Sequence, residues 1–247
     1  MDVKKLFGLF SVLLCVSIPC SALEHLVMRV GFEDYLPSAS IKDGKAIGVD
    51  VELVAAAMKA VGVEVSFEMF PWSRCLHMLD HKQLDAVIPM VFSTERDDKY
   101  TLGTSLRTRG NVVVLSRRIH KDVRTIKDLD GMTIGVGQGY AISKEFDEAT
   151  GFTKDPVATA GETYQLLLRK VAAARNDGAV IDLSVFYPMV RKLKIENEVK
   201  ISDFRFPKAS HVGFTKNNPF HPLFERGFKV IQDNGSYKKI LDQWQLQ

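Results

Sequence analysis

The sequence is poor in cysteine, with three in 247 residues. Two of them, Cys15 and Cys20, fall in an amino-terminal apolar segment, so a processed chain would keep only Cys75. That excludes an intramolecular disulfide framework and leaves the fold to its hydrophobic core. Charge of one sign is also lacking. Lys and Arg number 33 against 30 Asp and Glu, with no charge block, repeat or low-complexity segment. Nucleic-acid binding therefore has no electrostatic footprint. Long hydrophobic runs are missing too: Leu6–Ile18 is the longest, shorter than the roughly 20 residues of a membrane span. The six histidines form no compact ligand motif. His77 and His81 stand four apart without an HExxH pattern and read as a helical surface pair, so no metal or other cofactor is expected.

The amino terminus has the features of an export signal. Lys4 and Lys5 precede the apolar stretch, and Pro19-Cys20-Ser21-Ala22 ends in small residues, predicting cleavage after Ala22. Leu14 and Pro19 are bulky where lipoprotein processing needs a small residue. Residues 1–22 carry Lys4, Lys5 and Asp2, so their loss lowers the net charge from +3 to +2. The expected location is the periplasm, and the remaining length suits one large domain or two small lobes. Cys75 is expected to be a small buried hydrophobe rather than a catalytic thiol.

Strand and helix patterns alternate, which predicts an α/β architecture with largely parallel sheets. Leu26–Gly31, Val63–Phe70, Leu84–Val91, Asn111–Leu115, Met132–Val136, Ala179–Ile181 and Val212–Thr215 read as strands. Helical spacing appears from Val49 to Gly62, over Trp72–Asp80, from Ala141, and over Glu162–Ala174, Pro219–Asp233 and Tyr237–Trp244. In the helix beginning at Pro219, Phe220, Leu223/Phe224, Gly227/Phe228 and Ile231 make an apolar stripe, read as core packing. Two αβ series suggest two lobes.

The segment Asp85-Ala-Val-Ile-Pro-Met-Val-Phe-Ser-Thr-Glu-Arg96 is the most informative. A buried-type strand ends in a polar turn that carries one arginine. Open α/β sheets bind ligands beyond the carboxyl ends of their strands, and a guanidinium there can grip a carboxylate with two parallel hydrogen bonds. The alternative is a solvated turn in the charge-rich run Glu95-Arg96-Asp97-Asp98-Lys99. Gly135-Val-Gly137-Gln-Gly139 lacks both G-x-G-x-x-G and Walker spacing, so it reads as a turn bringing backbone N–H groups toward a carboxylate.

The Asp85–Arg96 segment resembles the signature of bacterial periplasmic solute-binding proteins, family 3. So do Gly48-Val-Asp-Val-Glu-Leu, Asp128-Leu-Asp-Gly-Met-Thr-Ile-Gly-Val-Gly-Gln-Gly and Asp233-Asn-Gly-Ser-Tyr-Lys-Lys-Ile, in the family's order. The likeness covers about residues 25–245. It implies the α/β type II periplasmic-binding-protein fold: two αβ lobes, a two-strand hinge, and a ligand cleft between them. Lobe 1 would comprise 23–108 and 208–247, and lobe 2 109–207, with crossings near 107–112 and 201–210.

By the same resemblance, Arg96 matches the arginine that binds an α-carboxylate. Asp182, ending Asp177-Gly-Ala-Val-Ile-Asp182, matches the aspartate that receives the α-ammonium; it could also cap the segment that follows. Tyr35 and Trp72 match two rings that flank a ligand side chain, with core packing as the alternative for either. The chain departs from the pattern elsewhere. Two family serines are Pro89 and Val91 here, and the family threonine on the second Gly-rich turn corresponds to Ala141, beside Tyr140. An aspartate carried by some binders of basic amino acids aligns with Phe32. Arg74 could compensate near the cleft mouth or lie in solvent. These departures argue against an ordinary amino acid as the solute, lysine or arginine above all.

The resemblance implies a non-enzymatic receptor, monomeric, that closes on a small carboxylate such as an amino acid or derivative. Its partner would be a membrane permease of the ABC importer type or a sensor. The alternative is a periplasmic enzyme on the same fold, similar to cyclohexadienyl or arogenate dehydratases, with Glu33 or His77 as general acid.

Overall fold

The structure is a computed structural model, and it describes residues 26–159 and 162–245. The proposed export signal lies outside the described residues. In chain order the first elements are β1 (Val27–Phe32), β2 (Ser40–Lys42), β3 (Lys45–Ile47), α1 (Val49–Lys59), β4 (Glu64–Met69) and α2 (Trp72–Asp80). They are followed by β5 (Ala86–Val91), α3 (Thr94–Lys99), β6 (Tyr100–Leu102), β7 (Arg107–Ser116), β8 (Thr133–Gly137) and α4 (Lys144–Glu148). The last are β9 (Thr153–Val157), α5 (Thr163–Ala172), β10 (Gly178–Asp182), α6 (Leu183–Leu193), β11 (Val199–Thr215), α7 (Phe220–Asp233) and α8 (Ser236–Gln243).

One mixed sheet runs β4-β1-β5-β11-β7-β10-β8-β9, with β6 paired to β11. The outer strands are parallel: β4, β1 and β5 at one end, β10, β8 and β9 at the other. The centre is antiparallel, because β11 runs against both β5 and β7. Each parallel set has helices on both faces, so four apolar clusters form. Two comprise residues from β1, α1, α2, β5, α7 and α8. The other two draw mainly on β7, β8, β10, α4, α5 and α6.

The long β7–β11 ribbon joins these halves. Arg107 on β7 reaches back to Asp50 on α1, Nε donating at 2.8 Å, in a buried ion pair that Ser38 also joins. Pro207 in β11 lies opposite Gly110 of β7, before the pairing of β11 with β5 begins at Ser210. Its missing N–H therefore costs no ladder bond on the far side. Pro89, in the central strand β5, is tolerated for a related reason. Pairing with β1 ends at Ile88, and β11 shifts register between His211 and Gly213.

Several expectations change. The strand expected over Val212–Thr215 is the end of a 17-residue strand. The helix expected from Ala141 starts at Lys144, behind a Ser143 cap. The turn holding Arg96 is a helix, α3, whose Ser93 cap accepts the Arg96 backbone N–H. The apolar stripe of α7 is core, with Phe220, Phe224, Gly227, Phe228 and Ile231 buried. Cys75 is fully buried, and burial pushes its thiol up to about 12.

Candidate ligand-binding site

Arg96 is buried, although it sits in a charge-rich run. The α3 cap fixes its backbone, and its guanidinium bridges the two halves. One terminal nitrogen donates to the Val91 carbonyl at 2.7 Å and the other to the Gly139 carbonyl at 2.7 Å. Among the described residues no carboxylate lies within ion-pair distance of it. Desolvation lowers its pKa to about 10, which leaves it charged at neutral pH. Two carbonyl contacts leave further N–H donors of the fork available to an anion.

Trp72 begins α2 and is held over this cation. Its ring lies 5.5 Å from the guanidinium carbon, and its indole N–H donates to the same Gly139 carbonyl at 3.1 Å. Gly139 has φ +74°, a left-handed conformation that glycine adopts without strain. The Gly-rich turn thus presents the Gly139 carbonyl to the site. The N–H groups of Gln138 and Tyr140 are taken by the carbonyls of Val157 and Gly137.

Arg96 and Trp72 share a cavity with Glu33, Tyr35, Pro89, Val91, Arg109, Tyr140, Ala141, Tyr164 and Lys208. Its empty space is about 340 Å³ and is partly open to solvent. Tyr35, Tyr140 and Tyr164 form an edge-on cluster, with Tyr164 at 5.2 Å from Tyr35 and 5.9 Å from Tyr140. Glu33, directly after β1, accepts the Tyr140 hydroxyl on one oxygen and the Thr163 hydroxyl on the other. Burial raises its pKa above the usual carboxylate range.

Asp182 caps α6, one of the two roles expected of it. It is not part of the cavity lining. One of its oxygens accepts both Nε and a terminal nitrogen of the buried Arg109. The other accepts the Ser184 N–H at 3.0 Å and hydroxyl at 2.6 Å, capping α6. Burial alone would raise its pKa, but Arg109 and Lys208 hold it well below the ordinary carboxylate range. Its acceptor sites are thus committed within the protein, while Arg109 also lies 5.2 Å from the Tyr35 ring.

Tyr35, Trp72, Val91, Arg96, Tyr140 and Ala141 therefore share the cavity, whereas Asp182 and Arg74 stand outside it. Arg74 is exposed and rests on the Phe70 ring, 5.1 Å from its centroid. His77 is exposed and stacks on His81 at 4.1 Å, away from the lining residues. Arg109, Tyr164 and Lys208 were not singled out by the sequence. Arg109 and Lys208 face each other in the β7–β11 register. The only sequence signal for them is a cation on each predicted crossing. Among the described residues, no group of three or more His, Cys, Asp or Glu could hold a metal ion.

A family model described as bacterial extracellular solute-binding proteins, family 3, matches residues 28–247. The arginine-binding extracellular protein ArtP of Bacillus subtilis (strain 168) is 24% identical over 233 residues, 91% of this chain and 87% of that one. The L-cystine-binding protein TcyA of the same organism is 30% identical over 224 residues, 88% of this chain and 81% of that one. Among solved structures, an ancestral amino acid-binding protein, AncCDT-1, described as a precursor of cyclohexadienyl dehydratase, has a TM-score of 0.71 at 23% identity. It covers 88% of this chain and 95% of its own. That likeness is one of fold, the two-lobe type II periplasmic-binding-protein architecture. With a family match that spans nearly all of its described residues, the chain belongs to the bacterial extracellular solute-binding proteins, family 3.

Proposed function

We propose that this protein is a non-enzymatic receptor that closes on a small carboxylate, such as an amino acid or a derivative of one. One observation carries the reading: Arg96 is a buried cation inside the cavity, with donors to spare and no carboxylate partner among the described residues. A buried charge without a counter-ion is costly, so an anion entering the cleft is strongly favoured. Lobe 1, comprising 23–108 and 208–247, would contribute Arg96, Trp72 and Tyr35. Lobe 2, residues 109–207, would contribute Tyr140 and Ala141.

Contacts split between the two lobes would be made together only when the lobes come together, so binding would part and close them. Closure would then present one shape to a membrane partner, an ABC importer or a sensor. The relatives' names, arginine-binding and L-cystine-binding, support an amino-acid solute. A monomer in the periplasm, exported by a signal cleaved after Ala22, completes the proposal.

The enzyme alternative has less support. His77 is not at the cleft, and Glu33 accepts a hydroxyl on each oxygen, an arrangement that suits an acceptor better than a proton donor. Native mass spectrometry of protein purified without refolding, followed by calorimetry against free amino acids and small carboxylates, tests the receptor reading. A retained solute or a micromolar binder is expected. Silence across the panel contradicts it, and turnover of prephenate or arogenate to aromatic product would favour the enzyme.

A further inference from the structure

Lys208 is the cation of this cleft that the protein leaves unused. It stands on β11 directly opposite Arg109 of β7, and both side chains line the same cavity as Arg96. Like charges set opposite each other on neighbouring strands repel. Only one carboxylate, Asp182, is placed to offset them, and Arg109 takes it with two donors. No hydrogen bond or ion pair joins the Lys208 ammonium to a described residue. Glu33 is the one carboxylate among the cavity-lining residues, and its oxygens accept Tyr140 and Thr163.

Arg96 and Lys208 are therefore the two cavity-lining cations that no carboxylate among the described residues hydrogen-bonds. Arg96 can take one carboxylate, and Arg109 and Asp182 neutralise each other. A ligand with a single anionic group would leave Arg96 or Lys208 without an anionic partner, which is unfavourable whenever that side chain is charged. We infer that the solute carries two carboxylate-type anionic groups, one gripped by Arg96 and the other received by Lys208. This rests on the receptor reading and specifies its ligand class. Desolvation and the nearby Arg109, Arg107 and Arg96 together depress the lysine's pKa well below its ordinary range, despite the opposing pull of Asp182. A second anionic group would restore a stable ammonium, so binding should take up a proton where the free site is partly deprotonated.

Paired compounds that differ in one charge test the inference. Wild type, Lys208→Gln and Lys208→Arg are titrated calorimetrically with L-glutamate, L-aspartate, glutarate and succinate, and with L-glutamine, L-asparagine and butyrate. The expected result is a dianionic compound that binds wild type at least about tenfold more tightly than its singly anionic counterpart. Lys208→Gln should weaken that compound about 10- to 100-fold, the range of a lost charge-assisted hydrogen bond, and Lys208→Arg should retain part of it. Equal affinity for both members of every pair, or an unchanged dianion affinity in Lys208→Gln, overturns the inference alone. So does binding confined to amino acids that carry a single carboxylate, such as L-arginine or the neutral amino acids. If none of these compounds binds wild type, the receptor reading falls with it. Should Lys208→Gln fail to fold by circular dichroism, the wild-type pairs decide the matter by themselves.

Discussion

Asp182 is ionised inside the protein because Arg109 lies against it, and that coupling sets a pH dependence with a definite sign. The folded carboxyl titrates below its unfolded value, so its contribution to stability is fully present above the ordinary carboxylate range, about pH 4. It is lost as pH falls toward the depressed folded value. Asp182→Asn removes the counter-ion and leaves a buried guanidinium unpaired, a loss of about 3–5 kcal/mol at pH 7. Urea denaturation from pH 7 down to pH 3 should show the gap between wild type and Asp182→Asn narrowing below about pH 4, as the wild-type carboxyl takes up a proton in the unfolded state. A gap that is absent at pH 7, or constant with pH, would contradict the role given to this pair. Glu33 works the other way: burial raises its pKa, so its ionisation costs stability as pH rises through the window above about 4.

Helices α1 and α7 show how one position sets the packing of two elements. A Cβ built on Gly227 would sit 1.9 Å from the Ala57 carbonyl oxygen, so the helices meet there with no room for a side chain. Alanine in place of a mid-helix glycine ordinarily gains about 1 kcal/mol. Here Gly227→Ala must push the helices apart and is expected to lose about 1–3 kcal/mol instead, measured by urea denaturation. A stabilised variant would show that the contact relaxes freely. The stripe on α7 was legible because five apolar positions recur at helical spacing. Strand β11 was not, because Asp203, Pro207 and Ser210 interrupt its apolar pattern, and pairing with β7, β5 and β6 holds it extended. Helix α3 was hidden in the same way. Its six residues are nearly all polar, and its start depends on the Ser93 cap, not on an apolar face. Arg96 and the aromatic wall could be read from the order of short motifs. Arg109 and Lys208 could not, since they meet only through strand register.

Across the whole molecule, the cleft is held shut by a few polar contacts between residues far apart in sequence. Arg96 and Trp72 both donate to Gly139, and Tyr140 and Thr163 both donate to Glu33. Under the proposed receptor function, binding and closure are one equilibrium, and a solute that neutralised Arg96 would shift it toward the closed form by its differential affinity. Calorimetric titration of wild type and Arg96→Ala with the best binder of the amino-acid and carboxylate panel is the most direct test. The account predicts a micromolar-range complex in wild type and a loss of at least about 100-fold in Arg96→Ala, the cost of removing a buried charge-assisted contact. Equal affinity in the two proteins would contradict it.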